Sequence, residues 1–123
     1  MIYGVGIDLV KIARMIQVVE KWGQRFLERV FTKGEVAYCY EKKEPYLSLA
    51  VRFAAKEALI KAIGSAVPVS LTDIEVMNIE RGKPLLKITG KLEDFFDKKS
   101  IRKIHLSLSH EHEYGIACVV LEQ

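Results

Sequence analysis

Cysteine is scarce. Cys39 and Cys118 stand in no metal-spaced motif, and both thiols are expected to be buried and reduced rather than bridged. Long apolar runs are absent: none approaches the roughly 20 residues that a membrane span requires. The start, "MIYGVGIDLV", has no basic stretch ahead of its apolar part and is interrupted by Asp8, so it does not read as a signal peptide. Charge of one sign is also lacking. A formal net charge of +3 is too small to imply nucleic-acid binding by itself, although it suits an anionic ligand or an acidic partner. There are no repeats, linkers or low-complexity segments. What remains is ordinary for a core-forming chain: half the residues are hydrophobic and 28% are charged, which excludes disorder. The expectation is one cytoplasmic globular domain spanning residues 1–123.

Residues Ile2 to Ile7 read as a short buried strand in which Gly4 and Gly6 permit close backbone approach. From Val10 to about Lys21 the apolar spacing turns helical, and "RFLERVF" adds a turn or two. Thr32 opens "TKGE", a capping-box pattern with Glu35 three residues on, which predicts a helix to about Lys43. Pro45 breaks the chain, Ser48 is a fair cap for a long helix, and Gly64 ends that helix. "DIEVMNI" and "PLLKIT" flank "ERGK" as a hairpin, and Leu92 to Lys98 suits a short helix. "IRKIHLSLSH" alternates strictly and, with "YGIACVVLE", forms a closing hairpin. The order is α+β, a small antiparallel sheet packed against a long central helix.

That helix contains "FAAKEALIKAIG". At about 3.6 residues per turn, Val51, Ala54, Ala55, Ala58, Leu59 and Ala62 share one sector, and its alanines call for a close neighbour such as the sheet. The other side carries two i,i+4 pairs, Arg52 with Lys56 and Glu57 with Lys61. A surface Glu57–Lys61 pair would contribute only about 0.2–0.5 kcal/mol. Arg52 and Lys56 are like-charged neighbours, however, which stability alone would avoid. Three cations around one carboxylate suit an anionic ligand, with Glu57 free to hold a divalent cation among its phosphates.

Asp8 ends the apolar stretch "YGVGID" and reads either as an N-cap for the next helix or as a ligand-binding carboxylate. If strand and long helix are neighbours, Asp8 and Glu57 can share one Mg²⁺, an ion usually held by one or two carboxylates, phosphates and water. His110 falls in register with Ile104, Leu106 and Leu108, so it reads as a core histidine unless a ligand claims it; His105 faces the other way, to the surface. "HEH" lacks the further ligands of a transition-metal site. Arg14, Lys21 and Arg25 recur at seven and four, which would align them on one helical face.

"GIDLVKIARM", "RFAAKEALIKAIG", "RGKP" and "LSLSHEHEYGIACVVLE", in this order, resemble the holo-acyl-carrier-protein synthases of the 4′-phosphopantetheinyl transferase superfamily, and the resemblance covers nearly the whole chain. It implies transfer of 4′-phosphopantetheine from coenzyme A to a serine of apo acyl carrier protein, in support of fatty acid biosynthesis. It implies that Asp8 and Glu57 hold Mg²⁺ and that Lys61 follows charge onto the departing phosphate. Arg52, Lys61, Gly64, Lys83 and His110 match positions lining the coenzyme A site, Arg14 and Arg25 match the basic region that meets the carrier protein, and Lys21 joins these two as a docking residue by its helical spacing. The general base lies between Glu57 and a water on the metal, the water being preferred because a ligating carboxylate is the poorer base. Two departures stand out: "SAVPVS" follows the helix glycine where many relatives have a second glycine-containing turn, and Glu111 stands where threonine is common. Short members of the family are homotrimers with sites between subunits, which the resemblance extends to this chain. Two alternatives remain: a non-catalytic module gripping acidic proteins through its first helix, and another nucleotide-handling enzyme on the same fold.

Overall fold

From the N-terminus, β1 (Ile2–Lys11) is followed by α1 (Ile12–Trp22), α2 (Gln24–Val30), α3 (Lys33–Tyr40) and the long helix α4 (Pro45–Ile63). After a 3₁₀ turn at Leu71–Asp73 come the hairpin β2 (Ile74–Asn78) and β3 (Pro84–Ile88), the short helix α5 (Lys91–Lys98), and a closing hairpin of β4 (Lys103–His110) and β5 (Tyr114–Glu122). The computed structural model describes residues 1–78 and 82–123. The turn expected at "ERGK" lies partly outside them, at Glu80 and Arg81, while β2 and β3 pair antiparallel from Ile74 opposite Ile88 to Asn78 opposite Pro84. The larger sheet is antiparallel in the order β1-β5-β4.

Helix α4 lies between two cores. On the sheet side Ala54, Ala55, Ala58 and Leu59 are buried with Val119, Leu121, Ile74 and Phe95. On the other, Leu49 and Ala50 pack with Met15, Leu27 and Phe31. The alanine sector has the expected neighbour. A Cβ on Gly6 would fall 1.8 Å from the Ala58 carbonyl oxygen, and one on Gly4 2.0 Å from that of Ala62, so β1 can lie against α4 only with glycine at both places.

Several boundaries differ from expectation. Strand β1 runs on to Lys11 because it pairs with β5 as far as Tyr114, and Ile12 N–H donates to the Glu113 carbonyl, 2.9 Å. The first helix therefore starts at Ile12, not Val10, and Asp8 sits within the strand; the position before the helix is Lys11, and no side chain caps it. Gly23, at φ 55°, separates α1 from α2, so Arg25 is not on the same helix as Arg14 and Lys21, and their common helical face does not form.

Thr32 and Glu35 make the expected capping box. That helix stops at Tyr40 because the chain must turn before Pro45, whose ring keeps Glu44 out of the helical region (ψ 79°). Helix α4 begins at Pro45 rather than at a Ser48 cap, since proline pre-sets the first helical residue.

The largest correction concerns Lys56, which is fully buried rather than on a ligand-facing surface. Its ammonium donates to Glu35 Oε1 (2.6 Å), the Val30 carbonyl (2.7 Å) and the Leu71 carbonyl (3.1 Å). Glu35 Oε2 in turn accepts from Val76 N–H, 2.9 Å. One buried ion pair thus ties α2, α3, α4, the 3₁₀ turn and β2 together.

Candidate active site

Asp8 leaves β1 on the side that Gly4 and Gly6 press against α4, and there it meets Lys61. The Lys61 ammonium donates to Asp8 Oδ1 and to the Ile7 carbonyl, each at 3.0 Å. It makes no ion pair with Glu57, although the two are four residues apart on one helix. Glu57 is half-buried beside them. Burial raises its carboxyl above the ordinary range, the like charge of Asp8 raises it further, and Lys61 opposes both. Two carboxylates and an ammonium therefore converge where strand and helix touch. No group of three or more metal-ligating side chains occurs among the described residues. Two hard oxygen donors in mutual repulsion are nonetheless a fitting donor set for a Mg²⁺ that takes its other ligands from phosphate and water.

A second cluster lies toward the start of α4. Arg52, His110, Lys42 and Lys43 line one cavity of about 530 Å³ together with Tyr38 and Ser48. Arg52 is 4% exposed, and its Nη1 donates to Ser48 Oγ at 2.9 Å. His110 is exposed at the end of β4, so it is not a core histidine. Neither Lys42, Lys43 nor Tyr38 was evident as a site residue in the sequence; the signal available was the paired lysines of "YEKKEP". A neighbouring cavity of about 700 Å³ shares Lys43 and His110, and Glu111 lines it. His105 is at the surface on Glu122, 2.8 Å.

Gly64 closes α4 at φ 78°, beyond Lys61. Lys83 is exposed just before β3 and makes no hydrogen bond or ion pair among the described residues. The structure thus joins neither of them to either cluster. In the "SAVPVS" loop, Val67 and Val69 pack on the sheet-side core.

The family model of the 4′-phosphopantetheinyl transferase superfamily matches residues 4–119. The chain belongs to that superfamily. A holo-[acyl-carrier-protein] synthase from Halothermothrix orenii is 47% identical, with 100% of this chain and 99% of that one covered. The transferase fold is shared with the crystal structure of the Neisseria meningitidis synthase at a TM-score of 0.92 and 35% identity, over 100% of both chains. The Helicobacter pylori synthase, solved in complex with coenzyme A, gives 0.84 at 32% identity, over 96% of this chain and 99% of that one.

On the transferase surface Arg14, Lys21 and Arg25 are all exposed. Beside Arg25 lies a groove of about 650 Å³ floored by Val18, Trp22 and Phe26. Trp22 is 53% exposed, an apolar surface among cations that sequence reading passed over.

Proposed function

We propose that this transferase moves 4′-phosphopantetheine from coenzyme A to a serine hydroxyl of apo acyl carrier protein, releasing adenosine 3′,5′-bisphosphate. The observation that carries the reading is the Asp8–Lys61 ion pair beside Glu57, a carboxylate pair and an ammonium at one point of contact between β1 and α4. The serine oxygen bonds to the β-phosphorus, the bond from that phosphorus to the bridging oxygen breaks, and the electron pair leaves with the bisphosphate. Asp8 and Glu57 would hold Mg²⁺, which when bound neutralises charge on the pyrophosphate. Lys61, already at Asp8, is placed to meet the negative charge of the leaving phosphate. With the cation held, Glu57 would be the poorer base, so we assign the serine proton to a water rather than to that carboxylate.

The pyrophosphate belongs where transfer occurs. The cavity of Arg52, His110, Lys42 and Lys43 is then left for the remaining phosphate, the one on the ribose 3′ position. Gly64 and Lys83 belong to the coenzyme A pocket by the same family resemblance. Incubation with coenzyme A, Mg²⁺ and an apo carrier protein is expected to add one phosphopantetheine to the carrier by mass. A carrier of unchanged mass, or transfer undiminished by chelation of Mg²⁺, would refute the respective part of this reading.

Docking of the carrier is assigned to the exposed Arg14, Lys21 and Arg25, the last of which lines the Trp22 groove, since carrier proteins of this kind are acidic and charge complementarity steers encounter. Reversing Arg14 and Arg25 to Glu is expected to raise the KM for carrier protein about tenfold and to flatten its salt dependence, with coenzyme A binding unchanged. An unaltered carrier KM would remove this surface from consideration.

We further propose a homotrimer, with Asp8 and Glu57 of one subunit facing part of the coenzyme A pocket of the next. On the sheet face turned away from α4, Val5, Ile7 and Leu9 are 57–59% exposed beside Val120, Cys118 and Ile116, an apolar surface suited to another copy. Light scattering showing a fully active monomer would overturn this. Among the described residues no helix is long and apolar enough to cross a membrane. A cytoplasmic role in fatty acid biosynthesis is our reading, and activity sedimenting with membranes would contradict it.

A further inference from the structure

The cationic cavity holds an arginine that is unusually constrained before any ligand arrives. Arg52 Nη1 donates to Ser48 Oγ, 2.9 Å, and Nη2 donates to Asn78 Oδ1 on β2. Its guanidinium carbon lies 4.3 Å from the centroid of the Tyr38 ring. Its Nε is buried and has no partner among the described residues. The same ring lies 4.4 Å from the ammonium of Lys42. Two cations that line one cavity therefore share one aromatic ring.

We propose that Tyr38 and Asn78 are positioning residues that hold Arg52 and Lys42 ready for the ribose 3′-phosphate of coenzyme A. This rests on the reading of that cavity as a phosphate site. The physical reason is twofold. Clustered like charges repel and would splay their side chains apart in the absence of an anion, and the negative face of an aromatic ring counters that repulsion. An arginine whose rotamers are already fixed loses less entropy on binding, so preorganisation appears as affinity for that one phosphate. Asn78 holds the guanidinium by a hydrogen bond from an otherwise unrelated strand, and Tyr38 by the face of its ring.

The test compares coenzyme A with 3′-dephospho-coenzyme A in steady-state transfer to carrier protein. Tyr38→Leu is expected to raise the KM for coenzyme A about tenfold with kcat little changed and the KM for the dephosphorylated substrate unaltered. Tyr38→Phe, which keeps the ring face, is expected to restore the wild-type KM. Asn78→Ala is expected to act in the same direction as Tyr38→Leu, and because Asn78 is exposed it carries the test if Tyr38→Leu does not fold. Equal KM rises for both substrates, an unchanged KM, or Tyr38→Phe as damaging as Tyr38→Leu would overturn the proposal. Arg52→Ala separates the two levels. If it lowers discrimination between the substrates and the Tyr38 and Asn78 variants do not, positioning is wrong and the phosphate site stands. If Arg52→Ala leaves discrimination intact, the phosphate site itself falls, and the positioning proposal with it.

Discussion

Asp8→Ala and Glu57→Ala are each expected to cut phosphopantetheine transfer about 10³-fold, since a cation that neutralises the reacting phosphates contributes several kcal/mol to the transition state. Both variants should also lose the Mg²⁺-dependent tightening of coenzyme A binding. The fold should stand. Strand pairing of Asp8 with Ala117 is made by the backbone, and its partner Lys61 is 55% exposed, so the lost ion pair is worth little to stability. Glu57 carries a further expectation with a definite sign. Its carboxyl titrates above the ordinary range in the folded protein, so the folded state binds the proton more tightly than the unfolded one. Ionised Glu57 therefore opposes folding above the unfolded pKa, and the opposition fades as pH falls through the folded value. Glu57→Ala should keep or raise the melting temperature at neutral pH while losing activity. A melting temperature that dropped together with activity would mean that the pair is structural, and wild-type turnover in either variant would remove it from the active site.

Lys56→Met is expected to lower folding stability by about 3–5 kcal/mol, the cost of leaving the Glu35 carboxylate buried without its cation. Burial lowers the proton affinity of Lys56, and the carboxylate of Glu35 opposes that shift. The double variant Lys56→Met with Glu35→Leu should recover only part of the loss. Val76 N–H and the Val30 carbonyl would still be buried, and the Leu71 carbonyl partly so, without the partners that the pair supplied. The coupling is measured by urea unfolding of both single variants and the double at one fixed protein concentration, since assembly would otherwise enter the midpoint. A loss under about 1 kcal/mol for Lys56→Met would show that the site relaxes or admits water.

Much of the architecture was legible because it is decided locally. The Thr32–Glu35 capping box needs only three residues of spacing, and the hairpins follow from alternation and turn chemistry. Gly4 and Gly6 opposite an alanine-rich sector could be read as a close contact because both halves announce missing side-chain volume, and the gap between β1 and α4 admits no Cβ. The ends of elements were less legible. Strand β1 continues to Lys11 because β5, more than a hundred residues away, offers it partners, and Gly23 divides what spacing alone would read as one helix.

The charged residues of α4 mark the limit. Helical spacing puts Glu57 and Lys61 within reach of each other, and sequence can say no more than that. Lys61 instead bonds Asp8, because β1 brings a carboxylate and a backbone carbonyl to the same ammonium. Lys56, adjacent to Glu57, carries the same charge as Lys61 yet points into the core to meet Glu35. By itself the sequence determined which side chains carry charge, which face of the helix must be small, and which family's order of motifs the chain follows. Only the tertiary structure decided which charge is structural and which is available for chemistry. Helical periodicity limits a residue's neighbours to its own turn, whereas its hydrogen-bond partner is whichever group the packing of distant strands leaves unsatisfied within about 3 Å.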